Sequence, residues 1–169
     1  MTAMPHFRPA TPADLPALKA LVESAYRGDA ARAGWTNEAD LLDGERISAA
    51  DLAATIADPV HHVILAEADG ALIGTVTITN KGAGLAYLGM LGVDPARQTG
   101  GLGRALIAQG EATAQAFGAT TMEMTVISAR PELIAYYERR GYAPTGEIRP
   151  FPDPAITHLT MVVLAKSLG

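Results

Sequence analysis

The residues best placed to do chemistry form a glycine-rich turn past the middle of the chain. An apolar stretch ending at Val93 is followed by Asp94-Pro95, then by Gly100, Gly101 and Gly103, and then by a helical pattern. Backbone N–H groups at a helix N-terminus carry partial positive charge and bind phosphate oxygens. Glycine lets the main chain approach such a ligand closely. The turn therefore predicts a pyrophosphate site.

Several interpretations of this turn are open from the residues alone. A Walker A loop has lysine after its last glycine, whereas Arg104 follows Gly103 here. A Rossmann turn has glycine or alanine three residues further on, where this chain has Leu106. A third pattern, Q/R-x-x-G-x-G/A after a strand, is met by Gln98, Gly101 and Gly103. A glycine-rich loop without a ligand is the remaining alternative.

A second segment makes the third pattern more specific. The run Arg130–Tyr142 is similar to N-x-x-A-x-x-L-Y-E-K-x-G-F and matches it at Tyr137, Glu138, Gly141 and Tyr142. With both motifs in this order and spacing, the sequence resembles the GNAT superfamily of acyl-CoA N-acyltransferases. It departs from the second motif where Arg130 replaces asparagine and Leu133 replaces a small residue.

The resemblance implies acetyl-CoA as cosubstrate and assigns its contacts. The pyrophosphate would be bound by the main chain of the turn, at Gln98, Thr99, Gly100, Gly101, Leu102, Gly103 and Arg104. The preceding strand would hold the pantetheine arm through its backbone, at Leu91, Gly92 and Val93. In this family that strand splays from the next one, here Thr121–Ile127, so the arm pairs with its edge like an added strand. Arg130 would reach a phosphate or a substrate carboxylate, and a solvated surface arginine is the alternative.

The resemblance also implies how the acetyl group is transferred. Tyr137 would contact the cofactor and act as general acid toward the departing thiolate, while the Leu91 N–H would polarise the thioester carbonyl. Core packing is the alternative for Tyr137, which shares a helical face with Leu133. Glu123 and Glu67 are candidates for the general base, Tyr87 is a weaker one, and a chain of water molecules could replace them.

The acceptor is expected to be the primary amine of a small molecule, acetylated directly in a ternary complex. The substrate-binding candidates are Trp35, Glu38, Tyr87 and Phe151. Acidic residues around Trp35 would attract a cationic amine, and a surface loop anchored by Trp35 is the alternative. Two other functions are open: a catalytically silent acyl-CoA sensor, and an acetyltransferase of protein N-termini or lysines.

Composition narrows the other classes of function. The 169 residues predict a single acetyltransferase domain over 1–169. The chain has no cysteine, which excludes thiol nucleophiles and cysteine zinc sites. The adjacent His61 and His62 would face opposite sides of a strand, so we expect no metal.

A net charge of −5 without a basic run predicts no nucleic-acid partner. No apolar run is long enough to span a membrane, and Met1–Pro9 has no signal-peptide pattern, so a cytoplasmic location is expected. A homodimer is common in the family.

Hydrophobic periodicity predicts the elements that position these residues. Helices are expected over 11–26, 48–57, 101–118 and 131–141, and strands over 62–67, 71–79, 85–93, 121–127, 143–148 and 158–165. On the helix after the turn, Ala112 and Ala116 are predicted to be buried and Glu111 to lie opposite. The hairpin signal Ala68-Asp69-Gly70 favours antiparallel pairing, and the long helix favours one parallel crossover. The expected fold is α/β (α+β), a three-layer GNAT-like fold whose central mixed, mostly antiparallel sheet is flanked by helices.

Overall fold

Seven strands form the central sheet of the computed structural model, which describes residues 5–26, 48–96, 101–152 and 155–169. The strands are β1 (His6–Pro9), β2 (His61–Ala68), β3 (Ala71–Gly82), β4 (Leu85–Val93), β5 (Thr121–Ile127), β6 (Ala143–Pro150) and β7 (Thr160–Ser167). Their order is β1-β2-β3-β4-β5-β7-β6. Every neighbouring pair is antiparallel except β4 and β5, which are parallel. The predicted mixed, mostly antiparallel sheet with one parallel crossover is confirmed.

Helices cover both faces of this sheet in the described part of the chain. They are α1 (Leu15–Tyr26), α2 (Ala49–Ala57), α3 (Leu102–Ala116) and α4 (Pro131–Glu138). On one face, α1 and α2 bury Leu18 and Leu52 against β2. On the other face, α3 and α4 bury Leu106 and Tyr137 in a larger cluster that includes Met124 of β5. The result is the expected three-layer arrangement. Over the same described residues, no helix combines the length and the apolar character that crossing a bilayer requires.

The buried face of α3 differs from the one predicted. Ala112 and Ala116 are exposed, while the buried positions are Leu102, Gly103, Leu106, Ile107, Gly110 and Ala114. The reason is close packing, since a Cβ on Gly110 would lie 2.7 Å from Ile78 Cδ1. Glycine rather than alanine therefore faces the sheet at this point of the helix. Glu111, the next residue, is half-buried instead of solvated.

A bulge interrupts β4 shortly before its end. Between the pairs Thr77–Gly89 and Thr75–Gly92, β4 has one residue more than β3. Met90 in this interval has φ 54°, which lies in the left-handed region that residues other than glycine and asparagine rarely adopt. Such bulges increase the local twist of a strand and redirect its backbone. The last residues of β4 therefore run at a different angle from the first.

Gly74 of β3 lies beneath the first turns of α3, where a Cβ would be 2.7 Å from Leu106 Cδ1 and 3.2 Å from Leu102 Cδ2. We expect Gly74→Ala to lower the free energy of unfolding by about 1–3 kcal/mol, because a methyl group added to a close-packed core displaces its neighbours. Urea denaturation measures this change. The control is the same substitution in a Leu106→Val background, which lacks the Cδ atoms and should tolerate it better. An equal loss in both backgrounds would show that Leu106 is not the obstacle.

Candidate functional site

The site begins where two central strands of the sheet separate. The parallel ladder between β4 and β5 consists of three pairs, Leu85–Thr121, Ala86–Met122 and Tyr87–Glu123. Both strands are fully described and continue beyond these pairs, β4 to Val93 and β5 to Ile127. The sheet is therefore open between the second half of β4 and the second half of β5. This is the splay that the family resemblance implies.

A cavity of about 230 Å³ occupies this opening. Its lining is Tyr87, Leu88, Gly89, Met90, Leu91, Met124, Thr125, Val126, Ile127, Arg130, Leu133, Tyr137, Pro152 and Met161. Leu88 and Met124 belong to the core on the α3 and α4 side, whereas Tyr87 and Thr125 are their neighbours along the two strands. Since successive side chains of a strand lie on opposite faces, the cavity passes through the sheet from one face to the other.

Tyr137 stands on the α4 side of this cavity. Its side chain is buried, with 6% of its surface exposed. Its ring contacts Tyr136 and Tyr142 edge-on, with centroid distances of 5.4 Å and 6.4 Å. Edge-on packing of this kind is a favourable arrangement of aromatic rings. The orientation of the Tyr137 ring is therefore set by two neighbouring rings, and the phenol lies at the edge of the space that a substrate could occupy.

Tyr142 is itself held by an ion pair between α3 and β7. Its hydroxyl donates a hydrogen bond of 2.8 Å to Glu111 Oε2. Lys166 Nζ donates to Glu111 Oε1 at 3.0 Å and to the Arg140 carbonyl at 3.0 Å. Burial, together with the nearby Glu111 carboxylate, raises the pKa of the Tyr142 phenol well above its usual value, so it stays a neutral donor. This Glu111–Lys166–Tyr142 anchor ties the end of α4 to its neighbours.

Arg130 is the N-cap residue of α4 and lines the cavity. Its side chain is 12% exposed, and its Nε donates to the Glu132 carboxylate. The Arg130 guanidinium holds the pKa of that carboxyl below its usual value. A solvated surface arginine, one of the two interpretations from sequence, does not describe this position. Arg130 brings a cation to a cavity whose other described lining residues are uncharged.

The N-terminus of α3 has the features that a diphosphate requires. Gly101 is its N-cap residue, with φ 76° and no capping side chain. The first bond within the helix runs from the Ala105 N–H to the Gly101 carbonyl at 3.1 Å, so the N–H groups of Leu102, Gly103 and Arg104 precede it. A Cβ on Gly101 would meet no described atom within 4 Å. Gln98, Thr99 and Gly100 lie outside the described residues.

The three pantetheine candidates lie in sequence along the end of β4. Leu91 lines the cavity directly after the bulge at Met90, and its side chain is 1% exposed. Gly92 pairs with Thr75 of β3, and Val93 pairs with Gly74. Gly92 and Val93 are not part of the cavity wall but continue from it toward the α3 N-terminus, so the proposed thioester and pyrophosphate contacts are joined by one strand end.

The two strand residues predicted near the acceptor lie on the face opposite α4. Tyr87 lines the cavity, and its hydroxyl oxygen is 2.6 Å from Thr125 Oγ1. Glu123 does not form part of the wall, because its Oε1 is held 2.9 Å from Arg149 Nη1. Glu123 lies two residues before Thr125 on the same face of β5, since strand side chains alternate.

The remaining acceptor candidates are less directly placed. Phe151 packs in a small apolar cluster with Ile127 and Leu159 rather than lining the cavity, whereas its neighbour Pro152 does line it. Trp35 and Glu38 lie outside the described residues. The lining residues that the sequence analysis did not single out are Leu88, Gly89, Met90, Met124, Thr125, Val126, Ile127, Pro152 and Met161. Those on β4 and β5 are close in sequence to Leu91 and Glu123, which were singled out, whereas Pro152 and Met161 depend on how β7 and the chain before it fold back.

The described residues contain no group of three or more His, Cys, Asp or Glu side chains placed to hold a metal ion. His61 Nδ1 is 2.8 Å from Thr79 Oγ1, whereas the His62 ring stacks on Phe117 at a centroid distance of 5.2 Å. The two adjacent histidines therefore serve different local contacts. The absence of a catalytic metal stays a prediction from sequence.

Solved structures share this fold over nearly the whole chain. The ribosomal-protein-S18-alanine N-acetyltransferase from Escherichia coli has a TM-score of 0.75 at 20% identity, covering 98% of this chain and 95% of that one. YncA from Salmonella typhimurium, solved with its cofactor acetyl-CoA, has a TM-score of 0.73 at 19% identity, with 99% and 95% covered. Ard1 from Thermoplasma volcanium has a TM-score of 0.76 at 14% identity, with 98% of each chain covered. At these identities the likeness shows the fold.

The family is shown by sequence. No curated protein sequence matches the chain. The sequence profile of the acetyltransferase (GNAT) family, however, matches residues 21–142, more than two-thirds of the chain. The matched range contains the glycine-rich turn, the splayed strands, α4 and the residues after it as far as Tyr142. The chain therefore belongs to the GNAT acetyltransferase family, and its acyl donor is acetyl-CoA.

Proposed function

We propose that residues 1–169 form one catalytic domain that transfers the acetyl group of acetyl-CoA to the primary amine of a small molecule, directly and with both substrates bound. The observation that carries this proposal is the cavity through the splayed sheet. It presents Tyr137 from one face and the Tyr87–Thr125 hydroxyl pair from the other. A donor and an acceptor could therefore meet within it from opposite sides.

The chain's contribution on the donor side is binding and orientation. Bound acetyl-CoA would supply the acetyl group in activated form, as a thioester. The N–H groups of Leu102, Gly103 and Arg104 would hold the pyrophosphate, together with the predicted contacts at Gln98, Thr99 and Gly100. The end of β4, which β5 no longer accompanies, would carry the pantetheine arm through its backbone. Arg130, at the N-cap of α4, would reach a phosphate of the cofactor or a carboxylate of the substrate.

Two groups would stabilise the charges that develop during transfer. The Leu91 N–H would donate to the carbonyl oxygen of the thioester, where negative charge accumulates as the amine attacks. The Tyr137 phenol would give its proton to the departing thiolate sulfur. Because the amine attacks the acetyl group itself, the protein needs no nucleophile of its own. This agrees with a chain that has no cysteine.

The attacking amine must lose a proton before it reacts. We propose Glu123 as the base, acting directly or through water. Its Oε1 lies 2.9 Å from Arg149 Nη1, a contact that fixes the position of the carboxylate. The carboxylate lies on the same face of the sheet as Thr125 of β5 and Tyr87 of β4. The acceptor would approach from this side.

The experiment that tests the proposed function measures release of the CoA thiol with a panel of free amines and a panel of peptides. The panel includes peptides with free N-termini and peptides with a lysine. Turnover with free amines and not with peptides supports the proposal. Turnover with peptides alone would make the chain a protein acetyltransferase, and CoA binding without turnover on any acceptor would make it a sensor.

Gly101→Glu should abolish detectable binding of CoA, because it places a side chain and a negative charge where the pyrophosphate would sit. Isothermal titration calorimetry measures the affinity. The matched control is Gly70→Glu in the β2–β3 turn, since Gly70 has φ 77° against 76° for Gly101 and equally open surroundings. Both variants carry the same backbone strain and the same charge, so only the first should lose binding. If Gly101→Glu binds CoA with unchanged affinity, the turn does not bind the pyrophosphate.

Tyr137→Phe should preserve the fold and the affinity for CoA while lowering kcat by about 10²-fold or more, as expected when a general acid is lost. Steady-state kinetics and circular dichroism measure the two effects. Tyr136→Phe is the control, because Tyr136 neighbours Tyr137 on α4 but does not line the cavity. A kcat of Tyr137→Phe equal to that of the unmodified enzyme would remove this residue from the mechanism.

Tyr142→Phe should lower kcat by about threefold to tenfold without changing the KM for acetyl-CoA, because it frees the ring that orients Tyr137 from its Glu111 bond. If Tyr142 has a purely structural role, Tyr142→Phe should lower kcat by the same factor whether residue 137 is tyrosine or phenylalanine. A positioning role predicts that the substitution has no further effect on kcat once Tyr137 is already phenylalanine. Initial rates of the two single variants and the double variant decide between these roles.

A further inference from the structure

A second pocket of about 220 Å³ opens beside the cavity. We call it the basic pocket, and its lining is Lys81, Tyr87, Thr125, Arg149, Pro150, Pro152 and Met161. Four of these residues also line the cavity, namely Tyr87, Thr125, Pro152 and Met161. The basic pocket is therefore an extension of the candidate site on the face opposite α4. A molecule with its amine in the cavity could have its other end here.

Charge distinguishes the basic pocket from the rest of the site. Its wall contains two cations, Lys81 and Arg149, and no carboxylate. Among the residues that the structure describes, Lys81 has no ion-pair partner. An exposed ammonium without a counter-charge, beside a concave surface, attracts anions.

A bulge in β3 sets the position of Lys81. Asn80 pairs with Ala86 and Gly82 pairs with Leu85, so two successive residues of β4 face three residues of β3. Lys81 is the extra residue and has no cross-strand neighbour. Bulges of this kind redirect a side chain away from the regular alternation. Here the redirected side chain contributes to the pocket wall next to Tyr87.

Arg149 is fixed by two carboxylates. Its Nη1 lies 2.9 Å from Glu123 Oε1, while its Nε donates to Glu147 Oε2 at 2.6 Å and its Nη2 donates to Glu147 Oε1 at 3.3 Å. These contacts use three of the five N–H bonds of a guanidinium and leave two for a ligand. The two carboxylates hold the planar group in place and exceed its single positive charge by one, so Lys81 is the cation of the pocket wall that has no carboxylate partner among the described residues.

Hydroxyl groups mark the junction between the basic pocket and the cavity. The oxygens of Tyr87 and Thr125 are 2.6 Å apart, so one hydroxyl proton serves the bond between them and the other remains for a ligand. Pro152 and Met161 provide an apolar wall at the same junction. The passage thus suits a short aliphatic linker with a polar group at each end.

We propose that the acceptor is an amine that also carries a carboxylate, and that the basic pocket binds this carboxylate through Lys81 and Arg149 while the amine enters the cavity. The inference rests on the proposed function, since it requires a small-molecule acceptor. It gives that acceptor a chemical class and makes Lys81 a specificity-determining residue. Transfer forms the amide bond between the acetyl group and the substrate nitrogen, breaks the thioester C–S bond of acetyl-CoA and releases the CoA thiol, and the substrate carboxylate takes no part in the chemistry.

The test uses ω-amino carboxylates of increasing length and their primary carboxamides, so that the members of each pair differ only in charge. For the preferred length, kcat/KM of the carboxylate should exceed that of the carboxamide by about tenfold or more, as a charge-assisted contact predicts. Lys81→Met should bring this ratio close to one, and Lys81→Arg should restore it. Calorimetric titration of the carboxylate into the CoA complex should show the same order of affinities.

Lys19→Met is the matched control, because Lys19 lies on α1 and pairs with Glu23 of the same helix. It removes the same charge and should leave the ratio as it is in the unmodified enzyme. Equal kcat/KM for carboxylates and carboxamides in the unmodified enzyme would overturn the inference and leave the proposed function standing, as would a ratio that survives in Lys81→Met. Failure to acetylate any free amine would overturn both.

Discussion

The incomplete pairing of β4 with β5 is the constraint on which the rest of the structure depends. Main-chain N–H and C=O groups inside a protein require hydrogen-bond partners, so a sheet is rarely left open between two of its central strands. Here the parallel ladder ends after Tyr87, although both strands continue. The opening is a place where another extended molecule can lie, and a pantetheine arm with its two amides has the matching chemistry. Binding through the backbone, as proposed, would require few specific side chains near this site.

Several features surround this opening. The bulge at Met90 changes the course of β4 after the ladder with β5 has ended, and Leu133 and Tyr137 of α4 line the gap on one face. The Glu111–Lys166–Tyr142 anchor then fixes the end of α4 against α3 and β7. Because α3 also carries the proposed pyrophosphate contacts at its start, the same helix relates the position of the donor to that of the Tyr137 phenol.

The sequence predicted the elements of the site better than the contacts between them. The bounds of β4 and β5 follow from apolar runs that end at Asp94-Pro95 and begin after Gly118, signals that act within a few residues. The burial of Gly110 on α3 was not predicted. From sequence, glycine is recognised as a poor helix former, but its close packing against Ile78 is not visible. Glu111 was placed in solvent for the same reason. Its partners come from segments about 30 and 55 residues further along the chain, and no local pattern encodes a pairing at that distance.

The wall of the cavity includes residues from both faces of the sheet. In a pocket with one entrance, the molecule that binds last blocks the exit of the molecule that bound first. A donor and an acceptor that enter from opposite faces, as proposed, would not obstruct each other in this way. Spent coenzyme and acetylated product would then depart by separate routes, so neither release step would have to wait for the other.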